Sequence, residues 1–323
     1  MKSDRMSSVE VRSILVATGL GAESDAPIRL AGHLAARAGA ELHLMHALEL
    51  QAIAPTVGVG DPSPDFRTLL EDTEVALEEK ANQAVPVGLE LTSREVIIYV
   101  PYKAILNQAR KVEADLIVLG AHRRRPGGEL LLGPIADRVV RGAEAPCLIV
   151  PEVEPEPFRR IVAPIDIEMP AALALDLAQI WALEFGPEGE SAQIDLLYVT
   201  PERGGLGGIG MDEAQMRKRL ESEIERSYQR VVGLTGLAPS EVRRASVPIE
   251  PVIRRGGRPA LEINDYVEEV GADLVVLGTR GFGAIRRALI GSVASTLGRA
   301  APTSILLVPP VLWRGRGRGI GWG

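Results

Sequence analysis

Short apolar runs alternate with longer stretches of helical periodicity along the whole chain. In the first half the runs fall at residues 14–17, 41–47, 95–100, 116–119 and 147–150, and in the second half at 161–163, 194–199, 247–253, 274–277 and 304–308. The intervening stretches 170–185 and 211–234 are predicted to be helices, because apolar residues recur there at helical spacing. Alternating strands and helices predict parallel sheets joined by right-handed crossovers.

The two halves of the chain are similar to each other. When residues 112–151 are laid over residues 270–309 without a gap, fifteen of the forty positions are identical, among them Gly120 with Gly278. The opening strands around Ile14 and Ile161 also match. A duplicated domain accounts for both similarities. We therefore predict an α/β protein of two tandem doubly wound domains, each a five-stranded parallel sheet with helices on both faces.

A linker rich in proline and glutamate joins the two halves. Residues 151–157 are Pro-Glu-Val-Glu-Pro-Glu-Pro, which neither a helix nor a central strand accommodates. We expect a first domain over residues 1–153, a second domain over residues 154–310 and an Arg/Gly-rich tail over residues 311–323.

The composition narrows the classes of function. The chain has 323 residues, enough for two domains of about 150 residues each, and aromatic residues make up only 4% of it, so the cores should be aliphatic. The net charge of −7 argues against a nucleic-acid binder, and we expect the arginine-bearing tail to be disordered. The single cysteine, Cys147, is expected to be a core residue. With no signal-type segment and no apolar run long enough to span a bilayer, we expect a cytoplasmic protein without membrane contact.

The chemistry is expected at the carboxyl ends of strands in the second half. Gly278 directly follows the fourth strand, and Gly281 and Gly291 let the backbone approach a ligand closely. Ser292 is expected to open a helix whose unpaired N–H groups and dipole favour phosphate. Asp166 follows the first strand, where its carboxylate is placed to accept hydrogen bonds from ribose hydroxyls. Singly, the glycines are equally consistent with a tight turn and Asp166 with a helix cap, but the combination favours a nucleotide site.

The spacing Gly278-x2-Gly281-x9-Gly291-Ser292 resembles the nucleotide signature of ATP-binding universal stress proteins. Asp166 falls at the position of that family's adenosine-contacting aspartate, and the resemblance covers both copies, nearly the whole chain. It implies the adenine-nucleotide α-hydrolase-like fold, with the adenine near the ends of strands one and two, the ribose at the aspartate and the triphosphate in the glycine loop. The contacts it implies for ATP, with Mg²⁺ left open, are Pro164, Ile165, Asp166, Val199, Gly278, Arg280, Gly281, Gly291, Ser292 and Val293.

The first copy departs from this pattern. It keeps the first and third glycines, but Arg123 replaces the second glycine, Pro134 replaces the serine and Gly19 stands in place of the aspartate. A side chain at position 123 would crowd a phosphate, and proline removes an N–H donor. We predict that this half does not bind ATP in the family manner. The run 122–125, His-Arg-Arg-Arg, is either a solvated basic loop or an anion site built from side chains.

Other motifs are expected to carry no chemistry. Residues 205–210 fit G-x-G-x-x-G, but they follow the second strand of their domain, so a surface loop is expected rather than a dinucleotide site. The four histidines, His33, His43, His46 and His122, show no metal-ligand spacing. We therefore expect no metal site, and no residue stands out as catalytic.

The leading hypothesis is a nucleotide-dependent stress-response regulator that binds ATP without rapid turnover and is not an enzyme. Slow ATP hydrolysis or phosphate transfer to the protein stays open, and so does an enzyme of the wider fold group. A further hypothesis is a scaffold whose halves pair and recruit a client protein. Because exposed apolar edge strands need covering, and because the last strand often pairs across a two-fold axis in the family, we expect the halves to form a pseudo-dimer; a homodimer of two chains stays open.

Overall fold

The computed structural model describes residues 11–49, 64–121, 133–151, 157–165, 172–188, 190–200, 212–235, 247–278 and 303–309. These residues divide into two compact units, one from each half of the chain. Each unit contains five strands, and every strand pair within a unit is parallel.

The first unit has the strand order β3-β2-β1-β4-β5. Its strands are β1 (Ser13–Thr18), β2 (Glu41–Leu48), β3 (Ser93–Ile98), β4 (Leu116–Gly120) and β5 (Cys147–Val150). Helices α1 (Asp25–Ala38) and α2 (Pro64–Ala84) pack against each other, as do α3 (Pro101–Lys111) and α4 (Pro134–Gly142). One pair of helices covers each face of the sheet, as right-handed crossovers require.

The second unit repeats this order as β8-β7-β6-β9-β10. Its strands are β6 (Arg160–Pro164), β7 (Gln193–Thr200), β8 (Ile249–Arg255), β9 (Leu274–Gly278) and β10 (Ser304–Val308). Helices α5 (Ala172–Phe185) and α6 (Glu213–Thr235) pack against each other. Helix α7 (Pro259–Val270) packs on β7 from the opposite face.

The doubly wound α/β architecture confirms the prediction from the sequence, and most strand bounds agree within a residue or two. The largest differences are at the third strands, because β3 and β8 each begin and end two residues away from the predicted runs 95–100 and 247–253. β3 ends early because Val100 is the N-cap of α3 and Pro101 occupies its first turn. β8 extends further because Gly256 still donates its N–H to the carbonyl oxygen of Thr200.

Both units fix their first strand by the same hydrogen-bond arrangement. Asp115 Oδ2 accepts from the backbone N–H groups of residues 12 and 13, at 2.9 and 3.2 Å. Asp273 Oδ2 accepts from those of residues 159 and 160, both at 2.8 Å. Each aspartate directly precedes the fourth strand of its unit, so it ties the first strand to the fourth. Those two strands form the centre of each sheet.

The packed cores are largely aliphatic, as the composition predicts. Cys147 is buried in β5, and burial raises the pKa of its thiol to about 12, which confirms the expectation of a core residue. The second unit adds an aromatic cluster, in which the ring of Trp181 lies 5.7 Å from that of Phe158 and 5.1 Å from that of Phe185.

Helix α6 begins at a reciprocal cap. The N–H of Gln215 donates to Asp212 Oδ1 at 2.7 Å, while the N–H of Asp212 donates to Gln215 Oε1 at 2.9 Å. This capping box satisfies two backbone donors that the helix itself leaves unpaired. It explains why the helix starts near the predicted position, residue 211.

Candidate functional site

In the second unit the strand order reverses between β6 and β9. The chain runs outward from β6 through β7 to β8 on one side, and from β9 to β10 on the other. Because the connections separate at that point, doubly wound sheets have a crevice at the carboxyl ends of these two strands. Pro164 ends β6 and Gly278 ends β9. The structure therefore brings these two predicted site residues to the two sides of the reversal.

Ile165 continues the pairing with β7 by one residue beyond the end of β6. Its N–H donates to the carbonyl oxygen of Leu197 at 2.8 Å, and only 6% of its surface is exposed. The chain is therefore held against the sheet up to the residue that precedes Asp166.

Val199 lies on the same face of the sheet as Pro164. Pro164 pairs with Leu197, and side chains two residues apart on a strand share a face. Val199 is half-buried, whereas Pro164 is buried. Three of the predicted adenine contacts, Pro164, Ile165 and Val199, thus lie at the carboxyl ends of neighbouring strands.

The remaining predicted site residues lie outside the described part of the chain. They are Asp166, Arg280, Gly281, Gly291, Ser292 and Val293. The motif at residues 205–210, the basic run after Ala121 and the tail lie outside it as well. The complete set of contacts therefore stays a prediction.

A fully buried carboxylate near the amino end of β7 ties the sheet of the second unit to α7. Asp195 Oδ2 accepts from Arg160 Nε at 2.8 Å and from the Tyr266 hydroxyl at 3.0 Å, and Asp195 Oδ1 accepts from Gln193 Nε2 at 2.9 Å. Burial, together with the charge of Asp195, raises the pKa of Tyr266 to about 12. The network joins β6, β7 and α7, and so supports the strands that carry Pro164 and Val199. Sequence reasoning missed it; the available signal was a single acidic residue inside the apolar run 194–199.

A second buried polar network joins α5 to α6. Arg230 donates two hydrogen bonds to Asp176, from Nε at 2.8 Å and from Nη2 at 3.0 Å, and a third to Glu223 at 2.9 Å. Ser227 donates to Asp176 and accepts from Gln179. Burial nevertheless raises the pKa of Asp176 above its ordinary value, against the opposing effect of Arg230 and Ser227. The carboxylate therefore depends on these donors to stay charged.

The corresponding strand end in the first unit is hydrogen-bonded to its own chain. Ser24 Oγ accepts from the N–H of Gly19 at 3.2 Å, and Thr18 Oγ1 accepts from the N–H of Leu20 at 3.1 Å. His46 Nδ1 lies 2.8 Å from the carbonyl oxygen of Thr18; because a carbonyl can only accept, this nitrogen carries the proton. Three backbone groups at the end of β1 thus already have partners.

The loop after β1 also folds over the end of β4. A Cβ placed on Gly120 would lie 3.5 Å from Pro27 Cγ and 3.9 Å from the carbonyl oxygen of Glu23. Leu20 holds the turn with a φ of 66°, which is unusual for a residue other than glycine. Pro27 and the backbone of Glu23 therefore lie close to the carboxyl end of β4 in the first unit.

The described residues contain no group of three or more His, Cys, Asp or Glu side chains that could hold a metal ion. His43 and His46 have separate partners, because His43 Nδ1 lies 2.9 Å from Ser93 Oγ and His46 bonds to the backbone. Within the same part of the chain, no helix has the length and apolar character needed to cross a bilayer.

Comparison with known proteins identifies both halves. The model of the Universal stress protein family matches residues 10–151 and, a second time, residues 157–309. The chain belongs to the universal stress protein family. It is a tandem-domain member, because the two matches together cover nearly all of the sequence.

Similar proteins agree with this assignment. Universal stress protein A homolog 2 of Coxiella burnetii is 36% identical over 143 residues, which cover 43% of this chain and 94% of that protein. A universal stress protein of Mycolicibacterium smegmatis is 26% identical over 309 residues, 92% of this chain and 97% of that one. The crystal structure of a universal stress protein from Archaeoglobus fulgidus superposes with a TM-score of 0.61 at 16% identity and covers 92% of this chain and 98% of that one. At this identity the superposition shows the fold alone.

Proposed function

We propose that this universal stress protein is a nucleotide-dependent stress-response regulator that binds one ATP per chain, in its second domain. The observation that carries the proposal is the reversal between β6 and β9, where Pro164 and Gly278 end adjacent strands. The backbone at Pro164 and Ile165 and the half-buried side chain of Val199 are the proposed contacts of the adenine at that edge. The glycine that ends β9 suits the close approach of a backbone to phosphate.

The proposed contacts beyond these four are Asp166 for the ribose and Arg280, Gly281, Gly291, Ser292 and Val293 for the phosphates. Asp166 directly follows Ile165, whose N–H is bonded to β7, and its proposed role is to accept hydrogen bonds from the ribose hydroxyls. Mg²⁺ bound with the ATP would offset the charge of the phosphates.

The first domain is proposed to take no ATP. Its Thr18, Gly19 and Leu20 are bonded to neighbouring side chains, and the loop after β1 lies over Gly120. It would act as a partner for the nucleotide-binding domain. A regulator needs no rapid turnover, and the proposal includes none. The domain bounds 1–153 and 154–310, the cytoplasmic location, the client protein and the pairing of the two halves are part of the same proposal.

Calorimetric titration with ATP tests the proposal. We expect one site per chain, and we expect Asp166→Ala to weaken binding at least about tenfold, because a charge-assisted hydrogen bond to the ribose is lost. Gly19→Ala is the matched control in the first domain. Its added Cβ would find no atom closer than 3.8 Å, so the variant should fold and bind ATP like the unaltered chain.

Three results would count against the proposal. No heat of binding, together with no nucleotide in mass spectra of the purified chain, would favour the scaffold. Two equivalent sites per chain would contradict the assignment to the second domain. Steady ATP turnover with Mg²⁺ would favour an enzyme.

A further inference from the structure

Helices α3 and α7 occupy corresponding places in the two domains. Each has a proline in its first turn, and the sequence repeat places residue 103 over residue 261 and residue 110 over residue 268. The inner faces are alike, since Ile105 and Ile263 are both buried. Each helix therefore packs on its own sheet in the same way, and the outer faces are free to diverge.

The outer faces have acquired opposite charges. Helix α3 contains Lys103, Arg110 and Lys111 and no acidic residue. Helix α7 contains Glu262, Asp265, Glu268 and Glu269 and no basic residue.

Several of these charges are unpaired within the described part of the chain. Lys103, Asp265 and Glu268 are exposed and have no ion-pair partner there. Arg110 has only a long contact, 3.4 Å, with the exposed Glu144. Lys111 and Glu269 are already paired, with Glu95 and Arg254. Lys103 and the weakly paired Arg110 thus form a basic stripe, and Asp265 and Glu268 form an acidic stripe.

We propose that the basic stripe on α3 of one chain binds the acidic stripe on α7 of a second copy of this chain. One chain presents both stripes, so a second copy supplies the complement of each. The lysine and arginine of α3 and the two acids of α7 are spaced by seven and three residues along their helices, and therefore project from one side of each helix. This proposal does not depend on nucleotide binding.

Such a contact should be weak and sensitive to salt. Exposed ion pairs are screened over a distance of about 10 Å at 0.1 M ionic strength and about 3 Å at 1 M. We therefore expect self-association, measured by sedimentation velocity, to weaken at least about tenfold between about 0.05 M and about 0.5 M salt.

A charge-swap experiment tests the contact directly. One variant carries Lys103→Glu and Arg110→Glu, so that both of its stripes are acidic. The other variant carries Asp265→Lys and Glu268→Lys, so that both of its stripes are basic. Each variant alone should lose self-association at low salt, because like charges now face each other. An equimolar mixture of the two should associate again, because every contact between unlike variants is complementary.

The control is Glu74→Lys with Glu79→Lys on α2. Both positions are exposed, and the change in net charge equals that of the variant in α7. This control should associate like the unaltered chain. All of the substitutions lie at exposed helical positions and introduce good helix formers, so folding should be retained.

Two outcomes would overturn the proposal. An unaltered chain that sediments as a single copy at every salt concentration would show that the stripes do not join chains. Self-association that neither variant reduces, or a mixture that does not associate again, would place the contact on another surface.

Discussion

The two domains share their framework and differ at the end of their first strand. Both have the same order of five parallel strands. In both, an aspartate before the fourth strand accepts from the N–H of the first residue of the first strand and from that of the residue before it. In the first domain, however, the chain after β1 turns back on itself and is held by Ser24, Thr18 and His46. In the second, Ile165 is paired with β7 just as its counterpart Thr18 is paired with β2, and the sequence then has Asp166 where the first domain has Gly19.

The difference shows that the sheet and the site are separable. The aspartates at the amino ends of the central strands are common to both copies, whereas the residues at the carboxyl ends have diverged. Mutations at the amino ends are therefore expected to affect the two domains equally, and mutations at the carboxyl ends or between helices to affect them differently. A shared fold alone would not reveal which copy carries a ligand.

The largest expected difference lies between α5 and α6. In Arg230→Met the Asp176 side chain, only 3% exposed, loses its guanidinium, and we expect the free energy of unfolding of the second domain to fall by about 3–5 kcal/mol. The matched change in the first domain is Lys80→Met, which removes a 2.7 Å pair with Asp25; that carboxylate is 27% exposed, so the loss should be about 1 kcal/mol or less. Urea denaturation with probes in each domain measures both.

The pH dependence of the first variant follows from Asp176. Without Arg230 the pKa of Asp176 in the folded domain should rise further above its ordinary value. The stability of the variant domain is then retained at pH values below the pKa of Asp176 in the unfolded chain, and it is lost as pH rises through the pKa in the folded domain. The loss caused by Arg230→Met should therefore be larger at pH 7 than near pH 4. A loss that does not vary with pH would mean that the buried carboxylate is not responsible.

The aspartates common to both domains should give equal effects. Asp273→Ala removes two hydrogen bonds at 2.8 Å, and Asp115→Ala removes two at 2.9 and 3.2 Å. Because these bonds lie near the surface, we expect each variant to lower the stability of its own domain by about 2 kcal/mol. Hydrogen exchange of the backbone N–H groups of residues 13 and 160 compares the loss of stability in the two domains. A large effect in one domain only would argue against a shared framework.

The sequence predicted the framework well because local patterns determine it. Apolar runs located the ten strands, and the repeat showed that the domains correspond. The carboxyl ends of β6 and β9 were also found, since parallel strands bring these ends together at one edge. By contrast, the partners of Asp195 and Asp176 were missed, because Tyr266 lies 71 residues from Asp195 and Arg230 lies 54 from Asp176. The left-handed turn at Leu20 and the basic and acidic stripes were not predicted either, because no local sequence pattern indicates them.

The stability of the second domain at alkaline pH should depend on the ionisation of Tyr266. Its pKa is raised from 10 in the unfolded chain to about 12 in the folded domain, so its contribution to stability is complete below pH 10 and is lost as pH rises through about 12. We expect the loss at pH 11 to be about 1 kcal/mol. Tyr266→Phe should remove this loss, although it also removes a bond to Asp195 at every pH. Denaturation at pH 8 and pH 11 compares how far the free energy of unfolding falls with pH in the variant and in the unaltered chain.

The smallest expected effect concerns the residue after the helix that leads into the fourth strand. Gly271 follows α7 with a φ of 61°, and its counterpart in the first domain is Glu113, with a φ of 50°. A left-handed residue other than glycine costs about 1 kcal/mol. Gly271→Ala should therefore destabilise the second domain by about 1 kcal/mol, purely through the backbone, because its Cβ would meet nothing within 4 Å.

Glu113→Gly should stabilise the first domain by about 0.5 kcal/mol, since the relief of strain is partly offset by greater freedom of the unfolded chain. Thermal denaturation in which both variants shift in the same direction would show that the two turns are not equivalent.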